Sequence, residues 1–366
     1  MTIYEKYDLK KVINASGKMT ILGVSKVSET VLNAQKIGGE NFFEMSELVI
    51  NTGRYIANLL GAENATIVSS ASAGIAQSIS ALIGRGDAYH TMHPYTPKIT
   101  RREIILPKGH NVNYGTSVEL MVQQGGGVVV EAGYANECTA QQIAMEITEH
   151  TAALLYIKSH HTVQKSMLSI QEMVEIAQAH QLPLIVDAAA EEDLTTYYEQ
   201  GVDVVIYSGA KAIEGPSSGL VVGKEPYITW IQEQSKGLGR SMKIGKENIL
   251  GFVQAIEDFL VQGSESGDSM KARLSPFIAD LNQMTGIEAS VVQDAAGRDI
   301  YRAKVVVSGN VSAIEVIEQL KQGDTAVYTR EYQANNGIIE FDIRAVNADE
   351  MKTIVKKIAA ILKGAN

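Results

Sequence analysis

The sequence predicts an α/β fold, with a mostly parallel seven-stranded sheet covered by helices and a smaller α+β domain at the carboxyl end. Two observations carry this expectation. Short β-rich apolar runs alternate with helical stretches through the middle of the chain, the pattern of a parallel sheet buried on both faces. After Gly223 the texture changes to one long amphipathic stretch, a polar break, and then shorter mixed elements.

Seven runs read as strands of the large sheet: Thr66–Ser69, Glu103–Leu106, Gly127–Glu131, Ala153–Lys158, Leu184–Asp187, Val204–Tyr207 and Gly219–Val222. Helical patterns separate them at Ile75–Ile83, Thr139–Thr148 and Ile170–His180. Each strand ends at small or polar residues, where an open α/β sheet places its ligand crevice. A long helix is expected over Lys246–Val261, and the break Gly263-Ser264-Glu265-Ser266-Gly267-Asp268 divides residues 1–262 from a small domain at 263–366. In that domain Val305–Val307 reads as a strand and Ser312–Lys321 as a helix. Ala326–Tyr332 and Ile338–Arg344 flank Asn335-Asn336-Gly337, a hairpin signal because Asn-Gly supports positive φ, and a helix over Ala348–Leu362 closes the chain.

The 366 residues are 45% hydrophobic and 20% charged, the balance of a globular chain rather than a disordered one. A net charge of −10 argues against a broad phosphate-backbone footprint and leaves room for a basic pocket for one small anion. The single Cys138 excludes an internal disulfide framework and any CxxC metal site; a buried structural thiol is the simplest reading. Neither a signal-peptide core nor a membrane-spanning run is found, so a soluble, cytoplasmic chain is expected.

Several catalytic signatures are absent: G-x-G-x-x-G after a strand, G-x-x-x-x-G-K-[ST] and H-E-x-x-H. Gly215-Pro216-Ser217-Ser218-Gly219 has the spacing of a nucleophile elbow, but the strand follows it instead of preceding it, so that reading is rejected. His90 with His93, and His160 with His161, lack the further ligands that a metal needs, and no metal is expected.

Three features converge instead. Ser69-Ser70-Ala71-Ser72-Ala73-Gly74 follows a strand and opens a helix, where small residues and free N–H groups suit a phosphate; a plain helix cap explains Ser72 equally well. Asp187 puts a carboxylate at the end of a core strand, and Lys211 delivers an amine just beyond the next one. A phosphate-binding helix start, an acid for a pyridinium nitrogen and a lysine for an aldehyde are together what pyridoxal phosphate requires.

The opening V-I-N-A-S-G-K-M-T-I-L-G (Val12–Gly23) and the run I-Y-S-G-A-K-A-I-E-G-P-S-S-G-L-V-V-G (Ile206–Gly223) carry a resemblance. The chain resembles the fold-type I pyridoxal-phosphate enzymes, in the branch related to bacterial selenocysteine synthase. V-S-S-A-S-A-G-I-A-Q, L-P-K-G-H-N-V-N-Y-G, V-E-A-G-Y-A-N-E-C, Y-I-K-S-H-H-T-V-Q-K-S-M-L-S and I-V-D-A-A-A-E-E-D-L are similar to that branch's ammonia-lyases, and they extend the likeness along essentially the whole chain.

The resemblance implies roles. Lys211 matches the Schiff-base lysine and Asp187 the pyridinium partner, while Ser208, Ser72, Ala73 and Gly74 match phosphate contacts. His110 either stacks on the cofactor ring or is a satisfied loop histidine. Ser159 and His160 stand where the ring oxygen or substrate is contacted. The implied reaction takes 2-amino-2-deoxy-D-gluconate 6-phosphate to 2-keto-3-deoxy-6-phosphogluconate and ammonia: the Lys211 amine removes the α-proton, the C3 hydroxyl leaves as water, and the product imine hydrolyses. His160, His161 or Lys211 would protonate the leaving hydroxyl. Arg330 or Arg344 would hold the substrate carboxylate, unless each is an ordinary strand-edge charge, and Lys18 and Arg54 are the basic residues near the amino-terminal segment for its phosphate. The rival readings are a selenocysteine-synthase-like transferase, a lyase or aminotransferase on another amino acid, and a catalytically idle cofactor-binding protein. At least a homodimer is expected.

Overall fold

The computed structural model describes residues 1–294 and 298–364. The chain forms two compact units, one of Val27–Gly263 and one that joins Met1–Lys26 to Ser264–Asn366. Strand β1 (Lys11–Ala15) lies in the first segment of the smaller unit. The next seven strands make the sheet of the large unit: β2 (Asn64–Val68), β3 (Glu103–Pro107), β4 (Val128–Ala132), β5 (Thr151–Ile157), β6 (Leu184–Asp187), β7 (Val204–Ser208) and β8 (Gly219–Gly223).

Their spatial order is β2-β8-β7-β6-β5-β3-β4. The pairings among β7, β6, β5, β3 and β4 are parallel, whereas β8 runs antiparallel to both β7 and β2. Every residue of β5 and β6 is buried, which is why these strands read as unbroken apolar runs with no alternation. The helix Ala71–Gly84 covers one face, where Ile75, Ile79 and Leu82 pack with Ile104, Ile185, Ile206 and Val221. On the other face Leu154, Val186, Val205 and Val222 pack with side chains from the helices Met45–Leu60, Ile170–His180 and Lys246–Gln262. The helix Glu29–Glu40 lies along Lys246–Gln262, closely enough that a Cβ on Gly38 would stand 2.6 Å from the Glu247 Cα.

The smaller unit holds two sheets. β9 (Ile287–Gln293), β10 (Tyr301–Val307) and β12 (Ile338–Phe341) form an antiparallel sheet in the order β12-β10-β9, and β11 (Thr325–Thr329) pairs in parallel with β1. Two expectations are corrected here. Residues 1–26, assigned from sequence to the large domain, belong with the carboxyl-terminal elements, because β1 finds its partner in β11. The hairpin expected around Asn335-Asn336-Gly337 is reduced to one antiparallel bridge. Ala334–Asn336 is a 3-10 turn ended by Gly337 at φ 76°, and β11 meets the β12 side only at the bridge between Arg330 and Glu340. Among the described residues, no helix is long and apolar enough to cross a membrane.

Candidate active site

The antiparallel β8 determines how the site is assembled. Standing between β2 and β7, it brings its first residue, Gly219, level with Val68 and Ser208 at the carboxyl ends of those strands. Asp187 lies level with Ile157 and Ile206 at the same rim. Helix Ala71–Gly84 starts from this rim. Its N-cap is Ser70, not Ser72: the Ser70 hydroxyl accepts from the Ala73 N–H at 3.1 Å. That leaves the N–H groups of Ala71 and Ser72 in the unpaired first turn, where the helix dipole favours an anion. Two glycines seat this turn. A Cβ on Gly219 would stand 2.6 Å from the Ser70 carbonyl carbon, and one on Gly74 would stand 3.1 Å from methyls of Ile206 and Val221.

Lys211 sits on the turn between β7 and β8. Its N–H donates to the Ser208 carbonyl at 3.3 Å, and Gly209 closes the loop by donating to the Ser218 carbonyl at 2.9 Å. Any side chain on Gly209 would strike the Ser218 hydroxyl and Phe252, so the sequence around the lysine is fixed by packing. Asp187 is 6% exposed and accepts the Ala189 N–H at 3.0 Å. Burial pushes its carboxyl up to about 6, against the pull of the Lys211 charge and the Ala189 N–H. Among the described residues no cation lies within ion-pair distance of Asp187. A buried carboxylate without a direct cation is costly, and a protonated ring nitrogen is the partner that would offset the cost. This donor set fits pyridoxal phosphate: Asp187 for the ring nitrogen, the Ser70–Gly74 turn for the phosphate and Lys211 for the aldehyde carbon.

Tyr114 is the site residue that sequence reasoning missed. Burial followed by the Asp187 charge raises its pKa, and the nearby Ser72 side chain lowers it, which sets Tyr114 beside both rim residues. An aromatic residue beside Gly115 in the loop after β3 was the available signal. His110 departs from the stacking role. Its ring is fully buried; Nδ1 accepts the Ile157 N–H at 3.4 Å, Nε2 stands 3.1 Å from the Val163 carbonyl, and its edge meets Tyr156. Burial holds it neutral, with a pKa of about 4, so it is the satisfied histidine of the two readings. Ser159 accepts the His161 N–H, and the rings of His160 and His161 stand 4.0 Å apart. Burial, and then the Lys211 charge, lowers the pKa of His161.

The large unit therefore gathers Ser72, Ala73, Gly74, Ser159, His161, Asp187, Ser208 and Lys211, with Arg54 exposed on the helix Met45–Leu60. Arg330, Arg344 and Lys18 lie in the smaller unit. There Arg330 pairs with Glu340 at 3.4 Å, Arg344 makes a fork to Asp342 at 2.8 and 2.9 Å, and Lys18 donates to Ser25 at 2.9 Å.

Comparison with known proteins bears on this arrangement. Residues 46–271 match the family model SelA, described as L-seryl-tRNA selenium transferase. The chain is 44% identical over 366 residues to the D-glucosaminate-6-phosphate ammonia lyase of Salmonella typhimurium, covering 99% of this chain and 98% of that one. The chain belongs to the SelA family. It is also 32% identical, over 98% of its length and 92% of the relative's, to a 5'-C-glycyluridine monooxygenase-decarboxylase of Streptomyces. Among solved structures, that of a D-glucosaminate-6-phosphate ammonia-lyase superposes with a TM-score of 0.94 at 43% identity, covering 100% of this chain and 99% of that one. A NifS-like protein, 14% identical with a TM-score of 0.58 over 97% of this chain and 100% of that one, shares the fold. For this SelA-family chain the fold is thus fold-type I and the cofactor is pyridoxal 5'-phosphate.

Proposed function

We propose that this SelA-family protein is an ammonia-lyase that converts 2-amino-2-deoxy-D-gluconate 6-phosphate (D-glucosaminate 6-phosphate) to 2-keto-3-deoxy-6-phosphogluconate and ammonia. The observation that carries the reading is the 44% identity to such a lyase along 99% of the chain. The rim geometry supports it. Ionised Asp187 holds the cofactor's ring nitrogen protonated, and the N–H groups at Ala71 and Ser72 with the Ser208 side chain hold its phosphate. The bound cofactor supplies an electron-accepting ring for the charge left at C2 when a proton departs.

The remaining steps fall to this chain's own residues. The Lys211 amine takes the proton from C2. The C3 hydroxyl needs a proton as it leaves, and Lys211, which now carries the one taken from C2, returns it, directly or through His160 or His161. Loss of water leaves an enamine that becomes an imine and hydrolyses in solution, which balances the reaction as substrate to keto acid plus ammonia. Arg344 and Arg330 are the guanidinium groups for the substrate carboxylate, with Lys18 and Arg54 for its phosphate.

The protein is further proposed to act as a homo-oligomer in the cytoplasm. Phe42 is fully exposed and Ile37 55% exposed, apolar surface that a second copy would cover, and sedimentation of the loaded protein as a monomer would refute this. The substrate test is ammonia release from D-glucosaminate 6-phosphate and D-glucosaminate, with exchange of the seryl hydroxyl of seryl-tRNA for selenium followed in parallel, because a transferase keeps the amine and releases no ammonia. Ammonia from the phosphorylated sugar acid at a kcat/KM at least tenfold above the others is expected; turnover of seryl-tRNA alone would return the chain to the transferase reading.

A further inference from the structure

Beyond the rim, the four residues after Asp187 are tied to the sheet and to one another. Ala188 donates to the Ile206 carbonyl at 2.9 Å, the Ser208 N–H donates to the Ala189 carbonyl at 3.2 Å, and the Glu191 N–H donates to the Ala188 carbonyl at 3.0 Å. The Ala189 N–H in turn is the one the Asp187 carboxylate accepts. One side-chain contact fastens the far end of this turn. The Tyr197 hydroxyl donates to Glu191 Oε2 at 3.0 Å. Tyr197 comes from the short helix Thr196–Glu199, whose opening is held by Asp193 Oδ1 accepting the N–H groups of Thr195 and Thr196, both at 2.9 Å.

Near this contact lies Tyr207, beside Ser208 on β7, 1% exposed and with a hydroxyl that has no hydrogen-bond partner among the described residues. It feels the charges of Asp193 and Glu191 and the neighbouring Tyr197. Burial and these carboxylates raise the pKa of both tyrosines, so both keep their protons. Tyr156, also buried, belongs to the same apolar cluster as Tyr207, and Tyr197 packs against that cluster. None of these groups is needed for binding or chemistry at the rim, yet together they anchor the segment that touches Asp187.

We propose that the Tyr197–Glu191 hydrogen bond is a positioning device for Asp187: it clasps the 188–191 turn so that the Ala189 N–H stays on the carboxylate that partners the cofactor. The inference rests on Asp187 being that partner. Besides the Ala189 N–H, the groups acting on Asp187 are Lys211 from the turn after β7 and Tyr114 from the loop after β3. Opening the clasp leaves both in place and weakens only the amide contact, so the carboxyl becomes harder to ionise and holds the ring nitrogen less well.

Two readouts other than turnover test this: the titration of the Asp187 carboxyl carbon by NMR in the apoprotein, assigned with Asp187→Asn, and the dissociation constant of pyridoxal phosphate by absorbance. Tyr197→Phe should move the Asp187 midpoint upward and raise the dissociation constant about three- to tenfold, less than the loss of a whole hydrogen bond to a charged acceptor because the amide contact is weakened and not removed. Glu191→Ala should do the same and serves if Tyr197→Phe does not fold. Glu191→Gln keeps an oxygen acceptor and should remain near native. Tyr55→Phe, which removes a similar contact to Glu257 elsewhere on the large unit, should change neither readout. A lowered melting temperature in Tyr197→Phe with both readouts native would overturn the proposal. Native cofactor affinity in Asp187→Asn would overturn the partner role of Asp187 itself, and the clasp with it.

Discussion

Gly219→Ala tests how the phosphate-binding turn is held. The added Cβ would stand 2.6 Å from the Ser70 carbonyl carbon and 2.8 Å from the Ala71 nitrogen and the Ser70 oxygen, all backbone atoms with no flexible end to swing aside. Ordinary contacts begin at 3.4 Å, so the two segments must part by about 0.8 Å. Gly219 is pinned between Val68 and Ser208 in the sheet, and the helix start therefore yields. Overpacking of this kind costs about 1–3 kcal/mol of folding stability. The displaced turn should also lose about one charge-assisted hydrogen bond to phosphate, about 1.5–3 kcal/mol, which is about a tenfold to hundredfold rise in the dissociation constant. The assay is absorbance titration of apoprotein with pyridoxal phosphate, with a melting curve beside it. Gly39→Ala, where no atom lies within 4 Å of the new Cβ, is the control and should bind as the native protein does. Native affinity in Gly219→Ala would refute the claim that this close approach shapes the cradle.

Two further predictions follow from charges. Burial raises the Asp187 carboxyl to about 6, above its ordinary 3.8, so the folded apoprotein is penalised for ionising it and loses stability as pH rises between these values. Asp187→Asn should therefore stabilise the apoprotein above pH 6 by about 2–3 kcal/mol while weakening cofactor binding, and native cofactor affinity should fall as pH drops below about 6. Denaturation and binding curves from pH 4 to 8 check both signs. In the smaller unit, buried Asp342 joins Arg302 at 3.1 Å and Arg344 at 2.8 Å. Asp342→Asn should cost about 3–5 kcal/mol in denaturant unfolding, because Arg302 is left buried with half of its charge pairing; a loss under 1 kcal/mol would count against that network.

The large sheet was legible because each strand is a short β-rich run buried on both faces, and the strand-end positions of Asp187 and Lys211 followed directly. Local ambiguity limited the phosphate turn: in Ser69-Ser70-Ala71-Ser72 two serines compete to cap the helix, and only the end of β2 at Val68 decides for Ser70. Long-range pairing was not legible. Nothing local in Lys11–Ala15 says that its partner is Thr325–Thr329, so sequence alone does not separate residues 1–26 from the large unit that follows them. Asn335-Asn336-Gly337 supplied the positive φ of a turn but not its flanking pairs, since β12 is taken by β10. The ion pairs of Arg330 and Arg344 with Glu340 and Asp342 depend on a bridge and a two-residue spacing that charge patterning alone does not single out.

The central claim is tested most directly by product stoichiometry. Native protein loaded with pyridoxal phosphate is mixed with D-glucosaminate 6-phosphate, and ammonia and keto acid are quantified beside the visible spectrum, with Lys211→Ala as comparison. The account predicts equal amounts of ammonia and 2-keto-3-deoxy-6-phosphogluconate from the native protein, a spectral change on mixing, and no turnover from a folded Lys211→Ala. No ammonia from the native protein, or undiminished ammonia from Lys211→Ala, would contradict it.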